Sequence, residues 1–297
     1  MSHQHDHSTD TGHENRLGWS IFLNTLFTII EFIAGFFSGS LALISDATHN
    51  LTDTVSLFVA YTGNKVSQKD ADSERTYGYG RASIIAALIN GIILLTLSIF
   101  ILNEAYQRIL HPEPVQGSIV AIVAGIGILI NGGVALMLFQ KSKNDVNTFS
   151  AFVNMALDAV SSVGALIGGI LIVVTGKTFI DPLISVLIAF MLLYGAYSVL
   201  KSVLHILLES VPVGVNAAQV LDAIKKQTDV VSVDDLHIWA ISSQYAALSC
   251  HVVVDEESLQ DGIQVVQKIK AMLVRDFQIQ HATIEIEIRE CEDTEHL

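Results

Sequence analysis

Residues 45–53 read Ser-Asp-Ala-Thr-His-Asn-Leu-Thr-Asp, and residues 150–158 read Ser-Ala-Phe-Val-Asn-Met-Ala-Leu-Asp. The matching polar pairs of these two stretches are His49 with Asp53 and Asn154 with Asp158. A spacing of four residues places each pair one turn apart on one face of an α-helix. Two such helices facing each other offer four converging ligands, the number that a tetrahedral metal site needs. The chain is therefore expected to contain a duplicated unit with a divalent-metal site between its copies.

The composition predicts an integral membrane protein. The chain has 297 residues, of which 51% are hydrophobic and 15% charged, and its mean hydropathy is +0.51. A chain with this composition is too apolar and has too few charged residues for an ordinary soluble domain. The formal net charge is −14, and most of it lies in residues 209–297; such an acidic domain argues against nucleic acid as a partner and favours cations.

Six apolar runs are long enough to cross the hydrocarbon core of a bilayer as helices. They cover residues 17–37, 41–63, 82–110, 117–139, 149–175 and 180–208. Lysine and arginine are concentrated in the second and fourth connections, so the positive-inside rule places both termini in the cytoplasm. We expect a cytoplasmic tail at residues 1–15, a six-helix transmembrane domain at 16–208 and a cytoplasmic domain at 209–297. The expected location is a bacterial inner membrane.

Polar groups inside the second and fifth runs must face protein, water or an ion. An Asp at the centre of a span costs about 2.5–3.5 kcal/mol on insertion scales. His49, Asp53, Asn154 and Asp158 are the expected metal ligands. Asp46 is expected to support them, although Asp46 and Glu31 could equally make interhelical hydrogen bonds. The serines at 150, 161 and 162 are assigned to close helix packing.

The charges of the ligand set suit a divalent transition metal. Asp53 and Asp158 carry two negative charges, which one M²⁺ ion neutralises inside the low-dielectric slab. Nitrogen together with carboxylate suits Zn²⁺ and its neighbours better than Ca²⁺, which prefers six to eight oxygens. We expect Zn²⁺ first, with Co²⁺, Cd²⁺, Mn²⁺ or Fe²⁺ as alternatives, and no other cofactor.

The chain resembles the cation diffusion facilitator family of metal/proton antiporters. The resemblance rests on motifs that occur in order along the chain at residues 40–43, 46–53, 75–81, 181–182, 208–212, 236–239 and 281–284. It implies a homodimer of six-helix protomers, each with a ferredoxin-like cytoplasmic domain, which exports Zn²⁺ or a similar ion in exchange for protons and is not an enzyme. Zinc-transporting members usually have histidine where this chain has Asn154, so metal selectivity is left open. The alternative is a membrane metal sensor or scaffold with a structural ion.

The cytoplasmic domain is predicted as a small α/β sandwich. Its expected elements are a helix at 217–228, strands at 233–241 and 246–254, a helix at 259–277 and a strand at 283–288. A hairpin turn near residues 242–244 would place His237 and His251 nearly opposite each other. His281 and Glu287 could complete a cytoplasmic metal site, with Cys291 a further candidate. The histidines of the N-terminal tail, His3, His5 and His7, could collect metal or could belong to a solvated tail.

Overall fold

The computed structural model describes residues 11–139, 146–243, 245–255 and 262–288. The predicted ligands His3, His5, His7 and Cys291 lie outside these residues. Six long helices come first: α1 Thr11–Ser38, α2 Leu41–Ser67, α3 Ala82–Leu110, α4 Gly117–Phe139, α5 Val146–Thr175 and α6 Ile180–Leu207. Each coincides with one predicted apolar run, so the predicted six-helix membrane fold is confirmed.

The six helices differ in how apolar they are. Within the described residues, α3, α4, α6 and most of α5 are long and apolar enough to cross a membrane, and Thr25–Ser38 of α1 forms a shorter apolar segment. Helix α2 falls below that level because polar side chains interrupt its middle, among them Asp46, His49 and Asp53. The helix that is least suited to lipid therefore carries two of the four predicted transport ligands, His49 and Asp53.

The start of α2 is fixed by a carboxylate from another helix. Gly39 has a φ of +72°, and the chain turns there from α1 into α2. Asp181, in the first turn of α6, accepts hydrogen bonds from the Ser40 hydroxyl and from the backbone N–H groups of Leu41 and Ala42. These N–H groups have no partner within the helix, and a carboxylate satisfies them while also favouring the positive end of the helix dipole. Asp181 therefore holds the start of α2 against α6.

Helix α5 is positioned by close packing against α4. A Cβ atom placed on Gly169 would lie 2.7 Å from the backbone nitrogen of Ala121, so the two backbones meet at a distance that only glycine permits. One on Gly127 would lie 2.8 Å from the Ser162 hydroxyl. Small residues at such crossings are typical of membrane helix pairs. The tight contact fixes which face of α5 turns inward.

The chain divides into two compact units, one formed by residues up to 58 with 91–197, the other by 59–90 with those from 198 onward. The second unit contains the C-terminal α/β elements, which are α7 Ala217–Lys225, β1 Val230–Ala240, β2 Ala246–Val254, α8 Gly262–Phe277 and β3 His281–Glu287. The strands form one sheet in the order β1-β2-β3, with β1 antiparallel and β3 parallel to β2. The predicted order of elements is confirmed.

One hydrophobic core holds these α/β elements together. Val220 and Ile224 of α7, Leu248 of β2, and Ile269 and Leu273 of α8 are completely buried in it. Both helices repeat apolar residues at three- and four-residue spacing, which turns one face of each toward the sheet. Asn216 caps α7 by accepting hydrogen bonds from the N–H groups at positions 218 and 219.

Candidate metal centre

Helices α2 and α5 bring three of the four predicted transport ligands together. The Nε2 atom of His49 lies 3.6 Å from Oδ1 of Asp158, and its Nδ1 atom lies 3.9 Å from Oδ1 of Asp53. With one ligand atom taken from each side chain, the three atoms lie within 4.8 Å of one another. Ligand atoms around a tetrahedral zinc ion are separated by about 3.4 Å, given bond lengths near 2.1 Å. A small adjustment of the side chains would therefore close the group around an ion.

The three side chains lie at different depths. The exposed fractions are 26% for His49, 40% for Asp53 and 2% for Asp158. Buried Nδ1 of His49 and Oδ1 of Asp158 have no hydrogen-bond partner among the described residues. Buried polar atoms without partners are costly, and a metal ion would satisfy both. The group is thus accessible on the Asp53 side and closed on the Asp158 side.

Asn154 lies one turn before Asp158 on α5, and its side chain is exposed. Its helical spacing allows it to reach the same region as Asp158. Its role as a fourth ligand remains a prediction. The structure thus brings three predicted ligands together and shows the side chain of the fourth as exposed.

Asp46 lies in a buried polar layer beside this group. It is completely buried and accepts a hydrogen bond from the Ser161 hydroxyl of α5. The assignment of Ser161 to simple packing is therefore wrong, because its hydroxyl binds a carboxylate. Glu31 of α1 is also completely buried, and the Asn50 side-chain amide donates to it over 3.4 Å. The repeat could not have indicated Asn50, because its counterpart in the second copy, Met155, is apolar.

The predicted cytoplasmic site is only partly assembled. The Nδ1 atom of His251 lies 2.8 Å from Oε1 of Glu287, as expected for two members of the predicted site. His237 was expected opposite His251, and this register is wrong: His237 pairs with Ser249, and His251 pairs with Asp234. A β-bulge between Asp234 and His237 shifts the register.

Two acidic residues that were not predicted contact these histidines. Asp235 lies inside the bulge with a φ of +49°, and its two carboxylate oxygens lie 2.8 Å from His237 and 3.9 Å from His251. Glu285 stands opposite His251 on β3, 3.8 Å from its Nε2 atom. Both are nearest neighbours across a strand or bulge, which the linear spacing of the histidines did not reveal.

His281 does not join this group. It begins β3, whereas Glu287 ends it, and a strand rises about 3.3 Å per residue, which separates the two by about 20 Å. The His281 ring instead packs edge-on against Tyr77, with ring centroids 5.5 Å apart. The predicted set of His237, His251, His281 and Glu287 is therefore corrected to a group around His251.

Two family models match the chain. Residues 18–208 match the cation efflux transmembrane domain, and residues 212–289 match the cation efflux protein, cytoplasmic domain. The two matches leave only three residues between them, and together they cover nearly the whole chain.

Relatives with known names match along almost their full length. The chain is 38% identical to the metal cation efflux system protein CzcD of Cupriavidus metallidurans, over 99% of this chain and 92% of that protein. It is 36% identical to the cadmium, cobalt and zinc/H(+)-K(+) antiporter of Bacillus velezensis, over 97% of this chain and 92% of that protein. It is 32% identical to the zinc transporter ZitB of Escherichia coli, over 98% of this chain and 94% of that protein. A solved structure, the metal-bound C-terminal domain of the Cupriavidus CzcD transporter, is 40% identical over 25% of this chain and 99% of that one, with a TM-score of 0.23.

Proposed function

Because this chain belongs to the cation efflux family, we propose that it exports a divalent transition-metal cation from the cytoplasm in exchange for protons. It is a multi-pass membrane transporter and not an enzyme. Metal ions and protons are its substrates, and the bilayer is its surrounding medium.

Zinc is the proposed main substrate. Relatives are named for zinc alone or for cadmium, cobalt and zinc together. A site with one imidazole and two carboxylates suits such borderline metals. Asn154 supplies an amide oxygen where an imidazole would bind zinc more strongly, which favours a broader range that includes Co²⁺ and Cd²⁺, with Mn²⁺ and Fe²⁺ as weaker candidates.

The observation that carries the proposal is the convergence of His49, Asp53 and Asp158 from two membrane helices within 4.8 Å. The two carboxylates neutralise a divalent ion, which removes most of the cost of taking that ion out of water. We propose these three residues, with Asn154, as the transport site and Asp46 as a supporting group.

The proposed cycle has three steps. Metal enters from the cytoplasm and loses its water to the ligands. The helices then rock, which closes the cytoplasmic side and opens the other, as in many transporters with inverted repeats. Protonation of His49 or of a carboxylate releases the ion on the more acidic side, because these groups must be deprotonated to hold a metal.

Charge in the connections supports an orientation with both termini in the cytoplasm. The segment that joins α2 to α3 is basic, with Lys65, Lys69, Arg75 and Arg81. The connection between α4 and α5 adds Lys141 and Lys143. Since basic connections stay in the cytoplasm, both termini lie there as well. The bacterial relatives support a bacterial inner membrane as the location.

We propose that residues 16–208 form the transmembrane domain and that residues 209–297 regulate it and hold two protomers together. The group around His251 is proposed as a second metal site. His251 contacts Glu287 at 2.8 Å, with Glu285 and Asp235 at 3.8 and 3.9 Å. Three carboxylates beside one imidazole repel each other, and a divalent cation would relieve that repulsion.

The test is metal uptake into proteoliposomes, comparing Zn²⁺, Co²⁺, Cd²⁺, Mn²⁺ and Fe²⁺ while an internal dye reports pH. We expect zinc flux accompanied by proton movement in the opposite direction, and loss of both in Asp53→Ala and Asp158→Ala. Flux without a pH change would make the protein a uniporter. A sensor or scaffold with a structural ion would hold that ion permanently, so retention of bound zinc against free chelator with no flux would favour that alternative.

A further inference from the structure

Helix α2 presents a second polar stripe beside the metal ligands. Asp46 and Asn50 are four residues apart and so lie one turn apart on one face. With 3.6 residues per turn, this stripe is rotated by about 60° from that of His49 and Asp53. It faces Glu31 of α1, to which the Asn50 amide donates.

The group formed by Glu31, Asp46 and Asn50 is sealed from solvent. Glu31 and Asp46 are completely buried, and Asn50 is 1% exposed. The side chains of Glu31 and Asp46 interact directly with each other. Oε1 of Glu31 and Oδ2 of Asp46 nevertheless have no hydrogen-bond donor among the described residues.

Two ionised carboxylates cannot remain in contact in such a place. They have no proton to share, and like charges at short range in a low dielectric repel strongly. While the metal site is empty, the carboxylate of Asp158 adds a further negative charge nearby. The pair at Glu31 and Asp46 therefore needs a positive charge of its own.

We propose that Glu31 carries a proton, donated to Asp46, and that this pair is a counter-ion site separate from the metal ligands. The inference rests on the proposed function, since it assigns one of the exchanged protons to a place. Glu31 is the protonated member because Asp46 already accepts from Ser161, which stabilises its ionised form, whereas Oε1 of Glu31 has no partner. A proton on Oε1 supplies the missing donor.

A proton fits this group better than a potassium ion. A proton shared by two carboxyl groups that interact directly needs no further ligands. The neutral side chains nearby, Asn50 and Ser161, already direct their hydrogen-bond donors at the two carboxyl groups.

The metal site and the proton site are close enough to influence each other. The groups that act on Glu31 are Asp46 of α2 and, more weakly, Asp158 of α5, and His49 also acts on Asp46. A divalent ion arriving at Asp158 adds positive charge beside Glu31 and so weakens its hold on the proton. Metal binding and proton binding thereby exclude each other without competing for the same atoms.

The test compares wild type with Glu31→Gln, which keeps the shape but cannot carry the proton. Protons released per zinc ion bound are measured by calorimetry in buffers of different ionisation enthalpy. We expect the variant to release about one proton fewer per zinc ion. The slope of the logarithm of zinc affinity against pH should also fall by about one. Glu104→Gln on α3, whose carboxyl pairs with Arg108, is the matched control and should behave as wild type.

Equal proton release in wild type and Glu31→Gln, with transport coupling intact, would overturn the inference but leave the proposed function standing. Absence of zinc-coupled proton movement in wild type would instead remove the proposed function. A difference between the variants that appears only in potassium buffers would assign the site to K⁺ and also overturn the inference.

A measurement on wild type guards against a variant that does not fold. Infrared spectra of the metal-free protein, labelled with ¹³C at glutamate carboxyls, should contain a protonated-carboxyl band that shifts with the label and disappears when zinc binds. Absence of that band at neutral pH would overturn the proposal.

Discussion

The imidazole of His49 on α2 faces the carboxyl of Asp158 on α5, with Nε2 3.6 Å from Oδ1. Asp158 is only 2% exposed, so its charge depends on what His49 and its neighbours bind. The pair thus joins the two copies of the internal repeat at the point where the ion is proposed to bind.

Asp158→Asn should abolish high-affinity zinc binding. The change removes one of the two charges that neutralise the ion. Because removing even a supporting group of a metal site lowers metal affinity by about 10- to 100-fold, we expect zinc affinity to fall by more than about 100-fold. Isothermal calorimetry of the purified protein measures it. Asp222→Asn, at an exposed position on α7, is the control for a lost charge. Zinc affinity within a few-fold of wild type would exclude Asp158 as a ligand.

Asn154→His should tighten zinc binding, on the order of ten-fold, because imidazole is a better zinc ligand than an amide oxygen. The same change should narrow the range of transported metals in the vesicle assay. Asn64→His, at an exposed position near the end of α2, tests whether any added histidine has this effect. If affinity at position 154 is unchanged or falls, Asn154 does not touch the ion.

Asp181→Ala should destabilise the membrane domain. It removes charge-assisted hydrogen bonds to the start of α2, and the loss of such a cap costs about 2 kcal/mol. Asp181→Asn keeps an acceptor oxygen and should lose less. Thermal unfolding in detergent ranks the two, with Thr175→Ala at the exposed end of α5 as a control that should stay close to wild type. Equal melting temperatures for Asp181→Ala and wild type would contradict the capping role.

Removal of metal should weaken the dimer through the group around His251. The domain is acidic, and a cation on His251 and Glu287 would reduce repulsion between adjoining copies. We expect chelator to raise the dimer dissociation constant in wild type but not in His251→Gln, as measured by analytical ultracentrifugation. His237→Gln serves as control, since His237 is 65% exposed and contacts only the edge of this group. A dissociation constant that chelator does not change would contradict a role of bound metal in the dimer.

Cys250 should resist alkylation until the cytoplasmic domain unfolds. Burial raises the pKa of its thiol to about 11, and the thiolate is the reactive form. Because the folded state holds this proton more tightly, the free energy of unfolding should fall as pH rises from 9.0, the ordinary pKa of a thiol, toward about 11. Iodoacetamide labelling of a Cys291→Ser variant across a urea series, repeated at several pH values, checks both statements. Rapid labelling at pH 8 without urea would show that the thiol is accessible.

The sequence predicted the helices well because their signals are local. Hydropathy runs and turn residues mark each membrane helix, and the repeat of His49 and Asp53 at Asn154 and Asp158 indicates both helices of the proposed metal group. Helical periodicity alone brings His49 and Asp53 to one face.

Side-chain partners across elements were harder to foresee. The contact of Ser161 with Asp46 depends on how α5 is rotated against α2, which is set by the close packing of Gly169 on α4. The register of His251 depends on a bulge at Asp235, a single extra residue that shifts every later pair on the strand. Neither feature leaves a periodic trace in the sequence.

The low hydropathy of α2 also affects how the protein is made. A segment with buried Asp46 and a partly exposed Asp53 does not partition into lipid by itself, since each such aspartate opposes insertion. The newly synthesised α2 must leave the translocon together with α1, whose Glu31 and Thr28 face inward with it. Substitutions that make α2 more apolar would therefore ease biogenesis and raise yield while removing the cargo site, so abundance and activity select for opposite sequences in this helix.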